Sequence, residues 1–189
     1  YEVGAVVNAE TDRRKILDAV VEHAMSALAA TRGFLILYDR ETDTLTPAAV
    51  RDSERREPPA SSVALTLSKT ILTDCVRSGR SILCRDALSD ARFRAGGSII
   101  LHGIRSACCV PVESRREILG ALYVDNLQTA GAFDEEDLQL LAALGRLAGD
   151  ALERALLHER NERLFYGLIR ALVSTVEAKD TYTRGHTER

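Results

Sequence analysis

Apolar residues recur at helical spacing in three parts of the chain. In the segment 11–30 they lie three or four positions apart, which predicts an amphipathic helix that begins near residue 11. The same spacing over residues 68–79 predicts a shorter helix. From Phe133 onward no proline interrupts the pattern, so we expect one long helix over residues 134–176.

Between these helices, short apolar runs bounded by turn residues predict β-strands. Residues 32–50 form one predicted hairpin with a polar turn at 39–43, and residues 105–127 form a second hairpin. A further strand is predicted at 81–84. The segment 85–103 is punctuated by glycines and is expected to be irregular.

The composition is that of an ordinary globular protein, with 46% hydrophobic and 28% charged residues in a chain of 189. The formal net charge of −3 argues against nucleic acid as the main partner, because no basic patch stands clear of acidic neighbours. No apolar run approaches the roughly 20 residues of a membrane-spanning helix, so no membrane partner is expected. The chain opens on Tyr1 without a signal-peptide pattern, which predicts a fragment of a larger cytoplasmic protein.

The cysteines are predicted to be structural. They are Cys75, Cys84, Cys108 and Cys109, and no two of them form a CxxC motif. The adjacent pair would point to opposite faces of a strand, which argues against a disulfide framework or a zinc site. We therefore expect buried, reduced thiols.

The long predicted helix carries a heptad-like seam, which is typical of a coiled-coil stalk. The seam consists of Leu141, Leu144, Ala148, Ala151, Ala155, His158, Glu162, Phe165, Ile169, Leu172 and Val176. Its middle is weak because small and polar residues replace large apolar ones there. Either the helix pairs in a homodimer with a soft centre, or it breaks near residue 160, and we favour the homodimer. The side chains expected to join the two chains are Leu141, Leu144, Phe165, Ile169, Leu172 and Val176.

Four stretches together resemble the core of a GAF domain. They are "LCRDALSDARF", "SIILHGIRSACCVPV", "LGALYVDN" and "AFDEEDLQLLAALGRLAGDAL", and the resemblance covers roughly residues 8–157. It implies an α+β fold, an α/β sandwich in which helices flank a central antiparallel sheet, with a long C-terminal signalling helix. GAF domains sense small molecules, including cyclic nucleotides, haem and bilins, or serve only as dimerising modules.

The resemblance implies a ligand site between the sheet and the segment 85–104. The candidate ligand-binding residues are Arg85, Phe93, Ile99, Arg105 and Tyr123. The two arginines are suited to pair with an anionic group, and the alternative is that both make only surface ion pairs.

The identity of the small-molecule ligand stays open. The motif associated with cyclic-nucleotide binding in GAF domains is incomplete, since Asn126, Phe133 and Asp137 are present. Leu127 and Leu138 replace the lysine and the final glutamate of that motif. The motif's ion pair is therefore absent, and the sequence does not support a cyclic nucleotide.

The last residues, "LIRALVSTVEAKDTYTRGHTER", resemble the beginning of an HD-GYP phosphohydrolase domain. By that resemblance His186 would be the first ligand of a divalent metal centre, of Fe or Mn, that hydrolyses cyclic di-GMP in the full-length parent. Tyr182 stands where some members of the family have a glutamate. One imidazole cannot hold a catalytic metal, which needs three or more protein ligands. This fragment is therefore expected to be no enzyme and to hold no cofactor.

These resemblances divide the chain into a GAF sensor domain with its N-terminal helix at 1–157, a signalling linker helix at 158–178 and the truncated start of the phosphohydrolase at 179–189. The predicted function is a regulatory sensor that controls a downstream HD-GYP phosphodiesterase through a dimeric helix. One alternative is a ligand-free dimerisation scaffold. The other is a redox enzyme of GAF fold, which would need two cysteines in one pocket.

Overall fold

The computed structural model describes residues 2–53, 69–90 and 103–184, and the side chains in these ranges between residues 13 and 174. Three helices and five strands follow one another in these ranges. They are α1 (Glu2–Leu28), β1 (Arg32–Asp39), β2 (Thr44–Asp52), α2 (Lys69–Ser78), β3 (Ile82–Cys84), β4 (Ser106–Glu113), β5 (Ile118–Asn126) and α3 (Glu135–Arg184).

The strands form one antiparallel sheet in the order β2-β1-β5-β4-β3. Both predicted hairpins are present, and the pairing of β1 with β5 joins them side by side. Gly120 of β5 permits this contact, because a Cβ atom there would lie 2.0 Å from the carbonyl oxygen of Ile36. The predicted α+β fold with a central antiparallel sheet is confirmed.

One face of the sheet is covered by α1 and α3, and we call the apolar cluster between them the helix-side core. Its buried residues include Leu17, Val21, Leu28, Leu35, Cys108, Val110, Leu122, Val124, Phe133, Leu141, Ala148 and Leu152. Gly149 brings α3 close to β4, since a Cβ atom there would lie 1.9 Å from the carbonyl oxygen of Glu113.

The opposite face of the sheet packs against α2. We call the apolar cluster on this face the pocket-side core, after the ligand site that the sequence predicts against the sheet. Four residues of α2 contribute, at the three-four spacing that the sequence predicted: Ile71, Leu72, Cys75 and Val76. Phe34 and Tyr123 are register partners on β1 and β5, and their ring centroids lie 5.9 Å apart. The two cores together bury both faces of the sheet.

The helix boundaries differ from the prediction at two points. Helix α1 begins at Glu2, well before the start predicted near residue 11. Helix α3 begins at Glu135 as expected but continues to Arg184 rather than ending near residue 176. Neither glycine nor proline follows residue 167 within it, so no helix-breaking residue ends it earlier. The predicted linker therefore lies within one continuous helix.

Helical length alone does not make a membrane span. No helix within the described ranges combines the length and the apolarity needed to cross a bilayer.

Candidate functional site

A buried polar cluster lies at one end of the pocket-side face. Arg32 of β1 and Asp125 of β5 are register partners, so their side chains leave the sheet next to each other. The Arg32 guanidinium contacts both carboxylate oxygens of Asp125, with Nε donating to Oδ1 at 2.8 Å and Nη2 donating to Oδ2 at 2.5 Å. The Tyr123 hydroxyl donates to Oδ2 at 3.2 Å, and the guanidinium lies 5.5 Å from the centroid of the Phe34 ring.

The electrostatics of this cluster reflect a charge pair held away from water. Burial raises the pKa of the Asp125 carboxyl, and the hydrogen bond from Arg32 only partly offsets the rise. Burial acts to lower the pKa of Arg32, but the hydrogen bond and charge of Asp125 outweigh it and raise that pKa. Two parallel contacts from one guanidinium to one carboxyl favour the charged pair over a neutral acid. The cluster therefore ties β1 to β5 by a buried salt bridge.

The sequence did not single out Arg32 or Asp125. A signal was present nevertheless, because the alternation in "LYVDN" puts Asp125 on the same face as Tyr123. A charged residue at an inward position of an apolar strand requires a partner. Identifying Arg32 as that partner requires the β1–β5 pairing, which joins residues far apart in the chain.

The described candidates for ligand binding differ in their surroundings. Arg85 is exposed, whereas Tyr123 is completely buried within the pocket-side core. Arg105 is half-buried, and its buried Nε has no hydrogen-bond partner among the described residues. Phe93 and Ile99 lie outside the described residues. The ligand site thus stays a prediction.

Arg85 instead lines an open cleft of about 610 Å³ at the β3 edge of the sheet. The lining residues are Ser81, Leu83, Arg85, Asp86, Ser89, Asp90, Glu135 and Leu138. The cleft lies towards the helix side, because Leu83 and Leu138 both pack against the helix-side core. It lies between the segment that follows β3 and the first turn of α3.

All four cysteines are buried, as predicted, and none of them forms a disulfide in the part of the chain that the structure describes. Cys75, Cys84 and Cys109 belong to the pocket-side core, whereas Cys108 belongs to the helix-side core. Burial raises the pKa of Cys108 to about 12, so its reactive thiolate is scarce at neutral pH. Burial also raises the pKa of Cys109, and a hydrogen bond with Cys75 adds to the rise. These thiols are packed side chains rather than poised nucleophiles.

The first part of helix α3 has one covered face and one uncovered face, whereas most side chains described beyond residue 162 are exposed. Alternating steps of four and three residues follow the uncovered face, which we call the outer stripe. It consists of Leu140, Leu144, Leu147, Ala151, Arg154, His158, Asn161, Phe165, Leu168 and Leu172. Most of the large apolar members are exposed, with Leu147 at 64%, Leu168 at 65% and Leu172 at 67%, whereas Leu144 packs against the helix-side core.

The burial of the predicted seam residues differs along α3. Leu141 is completely buried in the helix-side core of its own chain and is not available to a second chain. Leu144 is half-buried, whereas Phe165, Ile169 and Leu172 are exposed. Val176 lies within α3, but its side chain is outside the described residues, as is the whole of His186. Leu141 therefore does not belong to the predicted seam. A repeat near 3.5 does not show which face the core covers, and the homodimer stays a prediction.

The architecture defines the class of protein. The family model of the GAF domain matches residues 10–153, and the chain belongs to this family. No curated protein matches the chain.

Solved structures share the fold at low sequence identity. The blue-light absorbing form of the Thermosynechococcus elongatus PixJ GAF domain has a TM-score of 0.64 at 17% identity, over 84% of this chain and 95% of that one. The GAF domain of an Acinetobacter phosphoenolpyruvate-protein phosphotransferase has a TM-score of 0.61 at 20% identity, over 78% and 86%. A type II free methionine-R-sulfoxide reductase from Thermoplasma acidophilum has a TM-score of 0.59 at 15% identity, over 77% and 96%.

Proposed function

We propose that this chain is the regulatory sensor module of a signalling protein and that α3 is its output helix. GAF domains serve as sensor and regulatory modules in signalling proteins. The observation that carries the proposal is the double role of α3. Its first part belongs to the helix-side core through Leu141, Ala148 and Leu152, and the same helix then continues to Arg184. A shift of the sheet would therefore also displace the part of α3 that continues beyond the helix-side core.

The outer stripe supports a homodimer as the working form of the module. An exposed row of large apolar side chains marks a partner surface, and a second copy offers the same 3.5-residue repeat. A parallel pair would bring two downstream domains together. Arg154, His158 and Asn161 in the centre of the stripe would weaken the pairing there, which suits a stalk that changes its packing.

The downstream domain is proposed to be an HD-GYP phosphodiesterase acting on cyclic di-GMP. The resemblance of residues 168–189 to the start of that domain supports this, with His186 as one ligand of a divalent Fe or Mn centre. His186 alone does not make such a centre, and the described residues contain no group of three or more His, Cys, Asp or Glu side chains placed to hold a metal ion. The remaining ligands would belong to the catalytic domain.

The activity proposal is tested in the full-length protein. Cyclic di-GMP hydrolysis is expected there, and His186→Ala is expected to lower it at least a hundredfold, because a three-ligand site loses one ligand. His23→Ala, which changes an exposed histidine on α1, is the matched control and should leave the chemical step intact. The 189-residue chain itself should show no turnover. Hydrolysis that persists at the parental rate in His186→Ala would contradict the proposal.

A redox function is less well supported. One structural neighbour is a methionine-sulfoxide reductase, and three of the four thiols here lie in one core. Each thiol is nevertheless buried, and the thiolate of Cys108 is scarce. A redox enzyme needs an accessible thiolate, so these cysteines favour a packing role.

Ligand sensing is tested by thermal unfolding against cyclic AMP, cyclic GMP and cyclic di-GMP. A compound at 100 times its Kd is expected to add about 2.7 kcal/mol to the unfolding free energy, or roughly 5–11 °C in Tm for a domain of this size. Replacing both Arg85 and Arg105 by alanine should remove the shift if they hold an anionic group. Arg116→Ala, an exposed arginine in the β4–β5 turn, should preserve it.

Two results would count against this ligand site. A shift that survives in the double variant would move the binding site away from Arg85 and Arg105. The lack of any shift across the panel would favour the alternative in which the domain is a dimerisation scaffold.

A further inference from the structure

A short connector links β5 to α3 and passes from one face of the sheet to the other. We define it as residues 127–134. Leu127, at its start, packs against the pocket-side core. Phe133, near its end, is buried in the helix-side core, and Asp134 then caps α3 by accepting hydrogen bonds from the amides of Glu136 and Asp137. The connector is thus anchored in both cores.

The connector and the residue before it, Asn126, also form hydrogen bonds with residues near the two predicted ligand-binding arginines, Arg85 and Arg105. The Gly131 amide donates to the carbonyl oxygen of Arg85 at 2.5 Å. The Ser106 hydroxyl donates to the carbonyl oxygen of Thr129 at 3.0 Å. The Arg105 amide donates to the carbonyl oxygen of Asn126 at 3.0 Å. The backbones of both arginines are therefore tied to the chain that leads into α3.

The two arginine-bearing ends are also bonded to each other. The amide of Ala87 donates to the carbonyl oxygen of Arg105 at 2.9 Å. The two ends and the connector therefore form one hydrogen-bonded unit. Gly131 fits this unit because its φ of +65° is a conformation that other residues adopt only with strain.

We propose that the connector couples the backbone position at Arg85 and Arg105 to the first turn of α3. This inference rests on the proposed role of α3 as the output helix and gives it a regulatory input. An anionic group drawn to either arginine would pull on Gly131 or Asn126, and the displacement would reach α3 through Phe133 and Asp134.

Hydrogen exchange of the unliganded chain tests the coupling directly. Ser106→Ala removes the bond to Thr129 and is expected to speed exchange about fivefold at the amides of Gly131, Ala87 and Leu138 together. The Leu138 amide reports the first turn of α3, because it donates to the carbonyl oxygen of Asp134. The amide of Ala30, bonded to Met25 in α1, should not change and excludes global destabilisation.

The matched control is Ser114→Ala. The Ser114 hydroxyl oxygen accepts hydrogen bonds from the amides of Arg116 and Glu117 in the β4–β5 turn. Its loss should speed exchange in that turn alone. A second variant, Gly131→Ala, strains the connector without a steric clash, since a Cβ atom there would meet nothing within 4 Å. It should reproduce the joint effect of Ser106→Ala.

Faster exchange at Gly131 in both connector variants, with Ala87 and Leu138 unchanged, would overturn the coupling. The measurement uses no ligand, so its outcome is independent of the ligand panel. If the three amides respond together but no compound binds, the coupling is supported and the ligand-sensing proposal is contradicted. If a compound binds but the three amides do not respond together, the sensor proposal stands and the coupling through the connector is contradicted.

Discussion

Replacing Asp125 by alanine is expected to cost about 3–5 kcal/mol of unfolding free energy, because it leaves the buried Arg32 guanidinium without its carboxylate. That cost is a large part of the roughly 5–15 kcal/mol that stabilises a typical domain. The measurement is urea unfolding followed by circular dichroism, with the slope of the transition compared between variants. The variant is expected to unfold at a much lower urea concentration.

An exposed ion pair supplies the control for the buried one. Arg77 and Asp43 also form a salt bridge, but both side chains are more than half exposed. Arg77→Ala should therefore shift the urea midpoint little. Equal midpoints for Asp125→Ala and Arg77→Ala would show that the buried pair does not stabilise the fold as argued.

The double substitution Arg32→Met with Asp125→Leu separates the salt bridge from its burial. Replacing both members of a buried pair with apolar residues is often neutral or stabilising, because neither charge remains without a partner. The double variant should therefore recover most of the stability that Asp125→Ala loses. If the double variant does not recover this stability, the remaining loss is attributed to the buried Tyr123 hydroxyl, which donates a hydrogen bond to Asp125 in the parent chain.

Leu168→Asp is expected to weaken self-association of the chain by roughly a hundredfold, because it places two carboxylates in an apolar seam. Leu168 lies between Phe165 and Leu172 on the outer stripe and is 65% exposed within one chain. Sedimentation velocity over a range of micromolar concentrations gives the dissociation constant. The parent chain should sediment as a dimer in this range, and the variant as a monomer.

Ser174→Asp is the matched control for the dimer. It adds the same charge to an exposed position two residues from Leu172, nearly half a turn around the helix from the stripe. Its dissociation constant should equal that of the parent. A parent chain that stays monomeric at high micromolar concentration would contradict the dimer, as would a Leu168→Asp variant that associates like the parent.

Cysteine crosslinking tests whether the two α3 helices of the dimer are parallel or antiparallel. The variants keep the four buried cysteines of the parent chain. Leu172→Cys alone should form a disulfide between chains if the helices are parallel, because identical seam positions then meet. An antiparallel pair in which the two outer stripes overlap completely would instead place Leu172 near Leu140 of the second chain. Crosslinking only in a mixture of Leu172→Cys and Leu140→Cys would contradict the parallel stalk.

Local patterns determined much of the fold. The three-four spacing identified the helices, and the apolar runs between turns identified the strands, because each element must bury one face. The burial of all four cysteines also followed from their positions in apolar segments. Family membership was recognisable for the same reason, since the blocks that carry it are core strands and helices.

The tertiary structure alone decided which faces are used. The sequence showed a repeat along α3, but only the packing of Leu141 against the sheet and the exposure of Leu168 distinguish its covered face from its outer stripe. The pairing of Arg32 with Asp125 likewise depends on β1 lying beside β5. The connector depends on contacts between Gly131 and Arg85, which lie far apart in the chain. Periodicity reports local geometry, whereas these contacts exist only once distant segments have packed together.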